Sequence, residues 1–146
     1  MIRSDLMTLA GELATLSSRD LGSIRGSYAV AKNIKIIAED VKTIEELKEK
    51  ITNNFETART AICELHAEKN EEGTAKVEND NYVGLPNEAF NNDLQALIAD
   101  HQPKIDEFNS FLKEEIDISL FKVGIEHFPA SLTPMQVMTL MPIIAE

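Results

Sequence analysis

Residues 27–69 read SYAVAKNIKIIAEDVKTIEELKEKITNNFETARTAICELHAEK, and no Gly or Pro interrupts them. Apolar side chains recur at Val30, Ile34, Ile37, Val41 and Ile44, and then at Ile51, Phe55, Ala58, Ile62 and Leu65. The steps alternate four and three, with one polar intrusion at Lys48, where Leu47 sits beside the seam. A repeat averaging about 3.5 residues keeps one stripe facing one partner over about five heptads. It predicts a helix of about 40 residues, roughly 60 Å long at about 1.5 Å per residue. Thr43 followed by Glu46 has the spacing of a capping box, which would start a second helix there. The apolar phase passes through Thr43 unshifted, so the periodicity favours one continuous helix.

Working outward, Leu6, Leu9, Leu13 and Leu16 share one face of a short helix over about 4–17, with Ser4 or Asp5 placed to cap it. Ser17 to Gly22 then reads as a break. Glu68 to Pro86 is polar and turn-rich, with Thr74–Glu78 and Tyr82–Leu85 as short strands about an Asn79-Asp80-Asn81 turn. Pro86-Asn87-Glu88 opens a second long helix over about 87–113, carrying Phe90, Leu94, Leu97, Ile98, Ile105, Phe108 and Leu112. Its apolar phase slips beside Pro103, where a missing N–H and a ring clash bend a helix. The alternation of Ile116, Ile118 and Leu120 with Asp117 and Ser119 predicts a strand over 116–123. Thr133 and Pro134 then open a last helix over about 134–141, which Pro142 ends. The expected fold is α+β and mainly α. It is one domain over 1–146, a long antiparallel helical hairpin over about 28–113 with short N- and C-terminal helices and a minor β element.

The chain carries 25 Asp+Glu against 14 Lys+Arg, a formal net charge of −11. Residues 69–115 alone hold eleven acids and four bases. An acidic balance argues against broad nucleic-acid binding, which needs clustered Lys and Arg. A single cysteine rules out an intrachain disulfide and any multi-cysteine zinc site. No apolar run reaches the roughly 20 residues of a membrane helix. The first residues lack the pattern of a signal peptide. These features predict a soluble protein of a reducing cytoplasm.

Motifs for chemistry are scarce. There is no Gly-rich phosphate loop, HExxH, GxSxG or CxxC. Cys63 and His66 are three apart on a helix, as a nucleophile and its base could be, yet Cys63 lies off the heptad seam. It is expected to face outward and be inert. His101 stands in place of an apolar residue before Pro103, and His127 lies in a loop, so the three histidines do not suggest a metal site. Asn79-Asp80-Asn81 lacks the order of a calcium loop. No catalytic, cofactor or metal residues are therefore assigned. The candidate interaction surface consists of Met135, Met138 and Met141 together with Ile37, Val41 and Ile44. Methionine's flexibility suits such a face to adaptable docking. Asp93, Asp100, Asp106 and Glu107 make a candidate acidic surface.

The run Ser27-Tyr28-Ala29-Val30-Ala31-Lys32-Asn33-Ile34 resembles the "SYAIAKN"-like helix start of small tailed-bacteriophage proteins grouped as a domain of unknown function. Similar features follow at the acidic turn Ala67–Gly73, at Phe90-Asn91-Asn92-Asp93-Leu94, at Glu114–Ile118 and at Leu132-Thr133-Pro134. The resemblance implies a phage origin and transfers no catalytic residues. The expected function is that of a non-catalytic interaction protein in the host cytoplasm or the virion. It would be a virion or assembly component or a host-directed factor, bound to a protein partner or to itself. An acidic DNA mimic that inhibits a host protein is the alternative, and a small helical enzyme a more distant one. No cofactor, membrane or direct nucleic-acid contact is expected.

Overall fold

The computed structural model describes residues 1–145, and the chain is 66% helical with one two-stranded antiparallel sheet. Helix α1 spans Arg3–Ser17 and buries Leu6, Leu9, Leu13 and Leu16. Its start is not capped by Ser4 or Asp5 as expected. Ile2 holds the N-cap position without a side-chain bond. The Arg3 N–H instead donates to the Glu114 carbonyl at 3.2 Å, and the Ile116 N–H to the Met1 carbonyl at 2.9 Å. A main-chain partner from another segment removes the need for a side-chain cap.

Helix α2 spans Ile24–His66 without a break at Thr43, whose hydroxyl bonds back to the Glu39 carbonyl. Strands β1 (Val77–Glu78) and β2 (Asn81–Tyr82) form the small hairpin, shorter than the sequence suggested. Asn79 and Asp80 both take positive φ, at 49° and 62°, the left-handed geometry of a tight two-residue turn. Helix α3 spans Glu88–Leu112 and continues through Pro103. Asn87 caps it by accepting from the Phe90 N–H at 2.9 Å. Helix α4 spans Pro134–Leu140 behind a full capping box between Thr133 and Gln136.

The chain divides into two compact units. One comprises Met1–Glu45 and the chain from Ser110 onward, and the other Glu46–Asn109. The first holds the main core, in which Leu6, Leu9, Leu13, Leu16, Val30, Ile37, Leu140 and Ile143 are buried. Helices α1 and α2 pack together there. The second unit pairs the C-terminal part of α2 with α3 in antiparallel sense. His66 meets Asp93 at 2.5 Å, and Phe55 stacks at a tilt on His101 with ring centroids 4.7 Å apart. No residue of α3 is fully buried.

Two further expectations are corrected. Among the described residues the segment 116–123 belongs to no sheet. Its alternation is real, since Ile116, Ile118 and Leu120 are half-buried while Asp117 and Ser119 are exposed. Among the described residues main-chain pairing occurs only near its ends, at Ile116 with Met1 and at Val123 with Ile143 and Ala145. In its middle the fully buried Asn33 carboxamide takes the ladder's place. Its Nδ2 donates to the Phe121 carbonyl and its Oδ1 accepts the Phe121 N–H, each at 2.8 Å.

The second correction concerns the last turn of α2. The expected stripe holds as far as Ile62, since Ile51, Phe55, Ala58 and Ile62 are half-buried. Beyond it the half-buried His66, bonded to Asp93 of α3, takes the inward place expected of Leu65. Leu65 is 65% exposed, and Cys63, expected to face outward, is only 5% exposed.

Candidate functional site

The capping box that starts α4 also sets which way the helix faces. Gln136 is held by Thr133 and donates from Nε2 to Glu12 of α1 at 2.7 Å. That orientation buries Leu140 and half-buries Val137 against the core. The opposite side presents Met135, Met138 and Met141, which are 70%, 68% and 55% exposed. These methionines thus stand outside the core.

The rest of the expected interaction surface divides from them. Ile37 and Ile44 are buried and Val41 is half-buried, so the α2 residues of that set serve the chain's own packing. Asp93, Asp100, Asp106 and Glu107 are all exposed on α3. Asp93 is engaged by His66, and Asp106 accepts from Gln102 at 2.9 Å. Asp93, Asp100 and Glu107 recur every seven residues, about 10.5 Å apart along a helix axis. Phosphates along one DNA strand recur about every 3.4 Å, so this row is sparse beside a nucleic-acid backbone.

The Cys63 thiol is buried, and the neighbouring His66 ring is committed to Asp93. The exposed Arg59 guanidinium is held above its usual range by the hydrogen bonds it donates to Glu56 and by the charge of that carboxylate. Among the described residues no cluster of His, Cys, Asp and Glu could hold a metal ion, and no helix is long and apolar enough to cross a membrane.

The first unit carries a second surface. No acid occurs between Asp20 and Glu39, or between Asp117 and Glu126. The Asn33–Phe121 bonds bring these two acid-free stretches together, and the Tyr28 and Phe121 rings meet edge to face at 5.4 Å. Arg25, Tyr28, Lys32 and Lys35 are spaced three, four and three along α2, so they share one exposed face. With Lys122 they place four cations on one side of the first unit. None of the four has an ion pair among the described residues.

Where the two stretches meet there is an open cavity of about 620 Å³. Its walls include Arg25, Tyr28, Phe121, Lys122, Glu126 and His127. His127 is fixed there by Nδ1, which shares a 3.0 Å hydrogen bond with the Ser23 hydroxyl. The signal that could have revealed this surface is the local absence of acids in a chain rich in them.

No protein-family model, curated protein or solved structure matches the chain.

Proposed function

We propose that the chain is a non-catalytic protein-interaction protein that docks through the methionine face of α4. The observation that carries this reading is the exposure of Met135, Met138 and Met141 on a helix whose other side is anchored in the core. A rigidly held helix with flexible, polarisable side chains on its outer face loses little order when a partner covers it. A patch of large apolar side chains left in water is a common mark of a contact surface. The resemblance to tailed-phage proteins makes a virion or assembly component, or a host-directed factor, the kind of interaction protein proposed.

Light scattering over a range of concentrations, paired with co-purification from producing cells, tests this reading. The wild type is expected to associate with itself or to retain a stoichiometric partner. Met135→Glu combined with Met138→Glu should abolish that association while leaving the circular dichroism spectrum unchanged. A strictly monomeric wild type without a partner would defeat the proposal. So would an association that the double variant leaves intact.

A further inference from the structure

The cavity beside Tyr28 opposes the charge of the chain around it. The protein has a net charge of −11, yet Arg25 and Lys122 line this cavity, with Lys32 and Lys35 farther along the same face of α2. An unpaired cation on an acidic protein draws an anion from solution, and a second beside it allows one anion to be held at two points. The remaining walls supply two other kinds of contact. Tyr28 is 54% exposed and Phe121 37% exposed, so aromatic surface is open to a flat ring. Glu126 lines the same cavity, with one carboxylate oxygen 3.5 Å from His127 Nε2, and it can accept from hydroxyl or amino donors. A volume of about 620 Å³ falls within the range of roughly 300–1,000 Å³ typical of small-molecule sites.

The frame around these groups is fixed. Phe121 is held by both bonds to Asn33, and His127 by Ser23. Gly26 lets the 125–127 turn approach α2 closely, because a Cβ there would collide with the His127 carbonyl. One ligand class carries an anion, a flat ring and several donors at once.

We propose that this cavity binds a mononucleotide, with its phosphate held between Arg25 and Lys122, its base against Tyr28 and its sugar or base donors toward Glu126. The site is separate from the methionine face and does not depend on it.

Isothermal titration of the full chain at low ionic strength with AMP, GMP, CMP and UMP provides the test. Adenosine, inorganic phosphate and an eight-nucleotide thymidine strand serve as comparison probes. Saturable one-to-one binding is expected for at least one mononucleotide, weakening as salt screens the cations. Adenosine and inorganic phosphate should each bind at least tenfold more weakly than the best mononucleotide. Arg25→Gln and Lys122→Gln should each weaken binding three- to tenfold, and so should Tyr28→Ala. Lys104→Gln, on α3, should change nothing. Circular dichroism and thermal melting of every variant separate lost binding from lost folding.

Failure of all four mononucleotides to saturate would overturn the proposal, as would unchanged affinity in the Arg25→Gln, Lys122→Gln double variant. Phosphate binding as tightly as the best nucleotide would remove the role of the ring. Adenosine binding as tightly would remove that of the cations. Binding of the thymidine strand alone would replace the small-ligand site with a single-strand track along Arg25, Tyr28, Lys32 and Lys35.

Discussion

Asn33 and Phe121 are joined by two hydrogen bonds of 2.8 Å, one in each direction, between a fully buried side-chain amide and a main-chain N–H and C=O. An extended segment normally meets its hydrogen-bonding requirement in a sheet. Here one side chain on a helix supplies both partners at the point where the segment has no neighbouring strand. Among the described residues no buried side-chain nitrogen or oxygen is left without a partner.

Asn33→Ala should therefore cost about 2–3 kcal/mol, because it leaves two main-chain groups of Phe121 without their partner. Asn33→Asp should also destabilise, since it keeps an acceptor for the N–H but removes the donor to the carbonyl. Urea unfolding of both variants measures this. A loss below about 0.5 kcal/mol in Asn33→Ala would show that water replaces the amide at no cost.

Glycine-to-alanine substitution should act in opposite directions at two helical positions. A Cβ on Gly26 meets the main-chain carbonyl of His127, so Gly26→Ala should destabilise by about 1–3 kcal/mol. Gly11, within α1, has open space where a Cβ would project. Gly11→Ala should raise stability by up to about 1 kcal/mol through helix propensity alone. Thermal melts of the two variants should move apart.

The turn of the β1–β2 hairpin holds Asp80 at a φ of 62°. Glycine adopts that conformation without the penalty a Cβ brings, and Asn-Gly is the favoured pair for this turn. Asp80→Gly should slow amide exchange at Glu78 and Asn81, the hydrogen-bonded pair that closes the turn, by a few fold. Faster exchange would mean that the Asp80 side chain itself supports the turn.

Ile37 and Leu65 both belong to the heptad stripe read from the sequence, yet Ile37 is 2% exposed and Leu65 is 65% exposed. Ile37→Asp should unfold the chain, because an unpaired charge in a packed core costs several kcal/mol. Leu65→Asp should change stability by no more than about 0.5 kcal/mol. Equal damage from the two would mean that Leu65 is packed like the rest of the stripe.

The helices were legible because their signals are local. An unbroken apolar period predicted α2, and the Thr133-Pro134 pair marked the start of α4 one residue inside its cap. The candidate surfaces were legible only in part. Met135, Met138 and Met141 stood out by composition, but a stripe at helical spacing looks the same whether it is buried or exposed. The basic face escaped because Arg25, Lys32, Lys35 and Lys122 are dispersed among ordinary residues and gather only when two distant stretches meet.

By itself, the sequence determined the mainly helical class, the extent of the long helices and the site of the hairpin turn. Each follows from contacts within a few residues, through helical periodicity, capping and backbone sterics. Only the tertiary structure decided that 116–123 pairs with a side chain instead of a strand, that Cys63 turns inward and Leu65 outward, and that four cations share one face. Those outcomes depend on which segments approach one another, as where His66 takes Asp93 of α3 for a partner and Leu65 is left outside.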